Sequence, residues 1–304
     1  MKILFLGTPD FASEHLKYLI ENKFDVVAVI SQPDKPKGRG KKLLPTPVKK
    51  VAMEYNIPVF QPKKVNKEGL EIIEKFKPDI AVVVAYGKLL KPPFLDALPF
   101  YNVHASLLPK YRGAAPIQRT LENGEKKTGI TIFKIDIGMD DGPIALQKEI
   151  EIGEYETFGD LYKKLLNLGK EALVEFLNKY PMKLVSQIGE PTYAPKITSD
   201  DLNIDFTYDF IVVKNKIRAY DPVPGARTDF KGNVVKLFGV FFAGKSNHNS
   251  PGKVLEITKD GAFISCKNGV IGVKYIQFPG KRKIAFLDAK NGKLVKEGDF
   301  LGKS

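Results

Sequence analysis

The sequence predicts an α/β protein in which a mostly parallel sheet is followed by a small all-β domain. Two observations carry this. Over roughly the first half, short apolar runs alternate with stretches of helical periodicity, as in strands joined by covering helices. After about residue 205 the runs shorten to VVKLFGV, GKVLEIT, AFISC and VIGVKYIQF, with Gly, Asn, Asp and Pro between them at roughly ten-residue spacing.

The elements follow in order. KILFLG is a buried strand ending in Gly7. TPDFASEHLKYLIENK is a helix: Pro9 and Asp10 suit its start, and Phe11, His15, Tyr18 and Leu19 share one face. VVAVIS is a strand, PVKKVAMEY a helix, IPVFQ a strand and KEGLEIIEKF a helix. DIAVVVAYG is a strand ending in Gly87, and Phe100 to Ala105 forms another. PIQRTLENG is a helix, and TGITIFKID a strand that runs into IGMDDG. This alternation implies a Rossmann-like sheet covered on both faces, and such sheets bind ligands beyond the carboxyl ends of their strands. Gly7, Gly87, His104 and residues 136–141 all fall at strand ends, where one crevice can collect them. In TFGDLYKKLLNLGKEALVEFLNKY, the stripe Leu161, Leu165, Leu168, Ala172 and Phe176 reads as core. The division expected is a catalytic domain over 1–188, a Gly- and Pro-bearing linker over 189–204, and a β-barrel or sandwich over 205–304.

Composition narrows the function. At 304 residues and 43% hydrophobic, the chain can build two packed domains. It lacks the apolar run of about 18 residues that a membrane span needs. The opening MKILFLGTPDF has no small-residue cleavage site and reads as a first strand rather than a signal peptide. One cysteine, Cys266, excludes an internal disulfide framework and a multi-cysteine metal site, and a reducing cytoplasm is the expected location. The net charge of +13 favours an anionic partner. The excess concentrates late: residues 206–304 carry 18 Lys+Arg against 8 Asp+Glu, or +10.

Several motifs bear on chemistry. GTPDF lacks the G-x-G-x-x-G spacing of a dinucleotide site, which argues against a nicotinamide oxidoreductase. PDKPKGRGKKL, residues 33–43, has five basic residues but no P-loop spacing. It is either a solvated loop or a basic arm that orders on a phosphate backbone. His104 is one of three histidines and sits where a strand stops. Asn102 has the same side-chain parity, so both side chains can converge on one point. A neutral imidazole can take a proton near pH 7, a nearby carboxylate fixes its tautomer, and an Asn amide can donate to a developing oxyanion. Asn, His and Asp without a Ser or Cys nucleophile suggest transfer between two bound substrates with no covalent enzyme intermediate. This chemistry needs no metal, and no ligand cluster suggests one.

NVHASLLPKYRGAAPIQ closely resembles the signature of the folate-dependent formyltransferases. GTPDFA, QPDKPKGRGKKL, VVVAYG, DIGMDDG and IRAYDPVPGA extend the resemblance along nearly the whole chain. It implies 10-formyltetrahydrofolate as co-substrate and, in the branch most alike, the amino group of methionyl initiator tRNA as formyl acceptor. Asn102, His104 and Asp140 fall on the family's catalytic trio. Ser106, Leu107, Leu108 and Pro109 fall on its folate-binding stretch, and Tyr86, Gly87, Leu89, Ile137, Gly138 and Met139 would border the pterin. Arg39, Lys41 and Lys42 fall on a loop that contacts the acceptor end of the tRNA. The C-terminal domain would be an OB-like barrel that helps hold tRNA in a monomeric protein. Ala105, Asp141 and Val223 depart from residues common in the family, and Asp141 makes the choice of Asp140 depend on register.

The expected mechanism has His104 taking or relaying a proton from the attacking amine, Asn102 stabilising the oxyanion, and Asp140 holding His104. Alternatives are a formyltransferase for a small amine, such as glycinamide ribonucleotide or an amino-sugar nucleotide, and a non-catalytic nucleic-acid binder. The basic C-terminal extension weighs for tRNA over a small amine; the trio weighs against the binder.

Overall fold

The computed structural model describes residues 1–37, 42–248 and 250–302. They form two compact units. The first comprises Met1–Ala114, Thr128–Ile150 and Lys164–Ala194; the second comprises Ala115–Lys127, Glu151–Lys163 and the chain from Pro195 onward.

In chain order the first unit holds β1 (Lys2–Gly7), α1 (Asp10–Glu21), β2 (Asp25–Ile30), the paired strands β3 (Lys35–Lys37) and β4 (Lys42–Leu44), α2 (Pro47–Glu54), β5 (Val59–Phe60), α3 (Val65–Phe76), β6 (Ile80–Val84), β7 (Phe100–His104) and β8 (Arg112–Gly113). After α4 (Pro116–Glu122), which lies in the second unit, come β9 (Lys127–Lys134), β10 (Ile144–Glu151), α5 (Phe158–Asn178) and β11 (Tyr193–Ala194). The main sheet has the order β10-β9-β7-β6-β1-β2-β5, and β11 pairs with β8 apart from it. From β5 to β7 the neighbours are parallel. Strand order reverses between β1 and β6, and Thr8 Oγ1 spans that point by donating to the Tyr86 carbonyl at 3.0 Å.

β9 breaks the parallel run, as a mostly parallel sheet allows. It runs antiparallel to β7, with Tyr101 opposite Lys134 and His104 opposite Thr131. Its carboxyl end therefore lies level with the start of β7, about 10 Å along the strand from His104. The loop carrying Asp140 has to run back to reach the histidine.

One face of this sheet buries Leu4, Leu6, Ala28, Ile30, Ala81, Val83 and Phe100 against α3 and the 90–95 segment. Gly69 lets α3 press on Phe94, since a Cβ there would lie 2.5 Å from the ring. Asn102 and His104 continue the Phe100 row past that core. In α5, Leu161, Leu165, Ala172 and Phe176 are buried, while Leu168 is half-buried. Gly169 of α5 admits the His15 ring, because a Cβ would stand 2.6 Å from Nε2.

The second unit contains a 3₁₀ turn (Asp200–Leu202), α6 (Phe210–Ala219), β12 (Ala226–Phe230), β13 (Asn233–Lys245), β14 (Val254–Thr258), β15 (Gly261–Cys266), β16 (Gly269–Gln277), β17 (Lys283–Ala285) and α7 (Phe286–Asn291). Its antiparallel sheet follows β12-β13-β16-β15-β14, with β17 on β16. The sequence runs correspond to β13, β14, β15 and β16, whereas β12, β17, α6 and α7 were not anticipated. FIVVKNKIRA is rich in β-branched residues, which disfavour helix. Burial of Phe210, Val213 and Ile217 on one side, with an Asp209 cap accepting from the Ile211 amide, overrides that preference. Arg119 of α4 joins Glu122 at 2.7 Å and Asp201 at 2.9 Å, and its hydrogen bond holds the Asp201 carboxyl well below the usual range.

His15 generates a pH prediction. It is fully buried, and burial lowers its pKa from 6.5 to about 4. The unfolded chain takes up the proton below pH 6.5, the folded protein only below about 4, so stability is complete above that window and falls as pH drops through it. The shift corresponds to about 3 kcal/mol. Urea unfolding at pH 7 and pH 4.5 should show this loss, and His15→Leu should reduce it.

Candidate active site

His104 is 5% exposed, and its ring meets Phe133 edge-on at 6.4 Å. Its Nε2 lies 2.9 Å from the Tyr111 carbonyl. A carbonyl only accepts, so Nε2 carries the proton and Nδ1 of the neutral ring is the bare nitrogen. Nδ1 faces Asp140 Oδ2 at 3.7 Å. That distance is too long for a direct hydrogen bond but suits attraction once the ring is protonated. The Tyr111 carbonyl thus fixes the ring directly, and Asp140 faces it across a gap. Asp140 is itself fixed, with its Oδ2 accepting the Gly113 amide at 2.8 Å. Asp141 is exposed and folds over Gly138, where a Cβ would lie 1.9 Å from its Oδ2. Geometry thus separates the two adjacent carboxylates. The half-buried Asn102 amide has no hydrogen-bond partner among the described residues, so its donors remain available.

The 106–109 segment is stapled by residues that sequence reasoning missed. Thr131, opposite His104 in the strand pair, donates its hydroxyl to the Ser106 carbonyl at 2.6 Å. The same oxygen accepts the Leu108 amide at 3.2 Å and Gln147 Nε2 at 2.8 Å. Gln147 also donates to the Leu108 carbonyl at 3.1 Å. The fully buried Ser106 hydroxyl donates to the Lys110 carbonyl at 2.6 Å. Only the β7–β9 register would have singled out Thr131, and register is set by tertiary pairing rather than by a local motif.

The other predicted residues divide. The Tyr86 side chain is 2% exposed, and burial pushes its hydroxyl up to about 12. What it offers the crevice is backbone, and its carbonyl accepts from Thr8 and, at 3.2 Å, from Gln32. Gly87 has φ +79, a conformation that favours glycine. Leu89, Ile137 and Met139 are exposed by 61%, 70% and 61%. Leu108 is buried, and Leu107 and Pro109 are half-buried. The base of the basic loop is anchored by Asp34, which meets Lys49 at 2.6 Å and Gln61 Nε2 at 2.6 Å. Arg39 and Lys41 lie outside the described residues, and Lys42 begins β4.

A cavity of about 520 Å³ is lined by Leu95, Leu98, Pro99, Ile135, Asp136 and Ile137, with Lys134 and Leu184 also at its wall. It adjoins the Asp140 loop but lies toward the amino end of β7. The side-chain cluster, which joins a bare imidazole nitrogen, a facing carboxylate and an unpaired amide, is therefore the better marker of chemistry.

Such a cluster at the carboxyl edge of an α/β sheet suits group transfer between two bound substrates. Residues 1–177 match the formyl transferase family, and residues 196–294 match the formyl transferase C-terminal domain. The chain belongs to the formyl transferase family. It is 71% identical over 300 residues to the methionyl-tRNA formyltransferase of Thermosipho africanus, covering 98% of this chain and 99% of that protein. It is 53% identical over 306 residues to that of Thermotoga maritima, covering 98% and 97%. Among solved structures, the sugar 3N-formyl transferase WlaRD superposes with a TM-score of 0.65 at 22% identity, covering 93% of this chain and 99% of that one. The methionyl-tRNA formyltransferase from Clostridium thermocellum gives 0.57 at 17% identity, covering 91% and 98%. These two structures speak for the fold alone.

Thr131→Val should leave the Leu108 amide and Gln147 without their shared acceptor. A loss of about 1–3 kcal/mol is expected in denaturant unfolding, with formyl transfer reduced about tenfold or more.

Proposed function

We propose that this enzyme transfers the formyl group of 10-formyltetrahydrofolate to the amino group of methionyl initiator tRNA. The observation that carries the reading is the end-to-end 71% identity to a methionyl-tRNA formyltransferase, joined to a site whose bare His104 nitrogen faces a carboxylate.

The residues present suit a folate co-substrate, which brings the formyl group to be transferred. Exposed Leu89, Ile137 and Met139 offer apolar surface to a flat bicyclic ring, and hydrogen bonds from Thr131 and Gln147 hold the 106–109 segment in place. His104 Nδ1 accepts the proton that the attacking amine loses as it bonds to the formyl carbon; that proton then passes to the folate nitrogen as its bond to the formyl carbon breaks, so that tetrahydrofolate leaves. Asp140, 3.7 Å away, stabilises the imidazolium so formed. The Asn102 amide donates to the oxygen on which negative charge develops, a contact worth about 3 kcal/mol. Positioning supplies much of the remainder.

Arg39, Lys41 and Lys42 would touch the acceptor end of the tRNA, and the +10 excess over residues 206–304 would hold its backbone. The domain assignment 1–188, 189–204 and 205–304 follows this division of labour. The enzyme would act as a monomer in the cytoplasm; no helix among the described residues is long and apolar enough to cross a membrane.

Purified protein mixed with 10-formyltetrahydrofolate and methionyl initiator tRNA should yield formyl-methionyl-tRNA. His104→Ala should lower turnover by about a thousandfold, and retention of turnover within about fivefold would overturn the role assigned to it. Transfer to a small amine but not to the tRNA would replace the acceptor and keep the chemistry. The KM for tRNA should rise with salt, giving a log–log slope of several units, as expected when phosphate contacts release counterions.

A further inference from the structure

We propose that Gln187, backed by Arg112, is a positioning residue that locks the Asp140 loop into its working conformation. The inference rests on the reading of Asp140 as the carboxylate that serves His104. It also gives a role to a stretch that neither family match covers, since one ends at residue 177 and the other begins at 196.

Asp140 is a non-glycine residue with φ +50, in the left-handed region that L side chains disfavour. Its loop must also run back along β7 from Lys134. Something has to select that conformation. Gln187 Nε2 donates to the Asp140 carbonyl at 2.8 Å and to the Gly142 carbonyl at 2.9 Å. One amide thus uses both of its N–H groups on the two carbonyls that flank Asp141. The other end of the amide is fixed as well. Gln187 Oε1 accepts from Arg112 at 2.7 Å through Nη2 and at 3.2 Å through Nε. This fork determines which end of the Gln187 amide faces the loop.

Arg112 immediately precedes Gly113, whose amide grips the Asp140 carboxylate. The two residues form β8, which pairs with Tyr193–Ala194. Gly113 has φ +120, and a Cβ there would lie 2.8 Å from the Ala194 carbonyl oxygen. Val185 bridges to Ile144 just beyond the loop. The 185–194 segment therefore straps the returning half of the loop: Gln187 bonds its backbone, and Gly113, next to the Arg112 that holds Gln187, bonds the Asp140 side chain.

Three variants test this. Gln187→Met keeps the length of the side chain and removes its hydrogen bonds. Ile188→Ala, at a side chain 83% exposed, controls for disturbance of the segment. Gln187→Met is also placed in an Asp140→Asn background. Hydrogen exchange gives a readout independent of activity: the Gly113 amide should exchange at least tenfold faster in Gln187→Met than in the parent or Ile188→Ala, with Val83 in the sheet interior unchanged. In single-turnover formylation, Gln187→Met should lower the rate 10- to 100-fold with the KM for tRNA within threefold. In the Asp140→Asn background it should cost no more than twofold. Unchanged Gly113 exchange would overturn the proposal, as would equal rate losses in both backgrounds. If the wild-type protein transfers no formyl group to methionyl-tRNA, the functional reading fails, while the exchange result still decides the positioning claim.

Discussion

The site depends on one topological constraint: β9 lies antiparallel to β7. Had β9 been parallel, its carboxyl end would have stood beside His104, and a short turn would have delivered a carboxylate. Instead the loop after Lys134 starts at the wrong end of β7 and returns by way of a left-handed Asp140. Gly138 and Gly142 make that path possible, because a Cβ at either would lie within 2 Å of Asp141 Oδ2 or the Lys134 carbonyl. The Tyr111 carbonyl, the Gly113 amide and the Gln187 amide complete the arrangement by fixing the ring, the carboxylate and the loop backbone.

Apart from the Gly113 amide's bond to a carboxylate, none of these contacts is strong alone. A neutral hydrogen bond contributes about 1 kcal/mol net, whereas a buried group left without its partner costs about 1–3 kcal/mol. Thr131 shows the consequence. Its one hydroxyl serves Ser106, Leu108 and Gln147, so the site is held by shared atoms rather than by a large interface. The sheet beneath supplies the stability that makes such economy workable. Leu4, Leu6, Ala81 and Phe100 are at most 1% exposed, and the strands bearing the chemistry are anchored in that core.

Much of this was legible in the sequence where information is local. Gly7, Gly87 and His104 mark the ends of apolar runs, and those runs are strands. The parity of Asn102 and His104 follows from the period-2 geometry of a strand. Illegible features were those created by pairing. The direction of β9 cannot be read from TGITIFKID, and with it go the positions of Thr131 and the Asp140 loop. FIVVKNKIRA was hidden because its β-branched residues point toward strand while tertiary burial selects helix. Gln187 lay in a stretch with no periodicity, so nothing but its two carbonyl partners distinguishes it. Asp140 and Asp141 are equal in sequence; only the fold turns one toward His104 and the other over Gly138.

Proton transfer at this site requires that the bare nitrogen of His104 be the one facing Asp140. With three histidines in the chain, ¹⁵N-histidine labelling with single-histidine variants for assignment can read each tautomer directly. His15 supplies an internal contrast, because its Nδ1 lies 2.7 Å from the Phe11 carbonyl and must carry the proton. At a pH where His104 is neutral, opposite tautomers are expected: Nε2–H for His104 and Nδ1–H for His15. A protonated Nδ1 on neutral His104, with Nε2 bare, would contradict it, since the nitrogen facing Asp140 could then not accept the proton from the attacking amine.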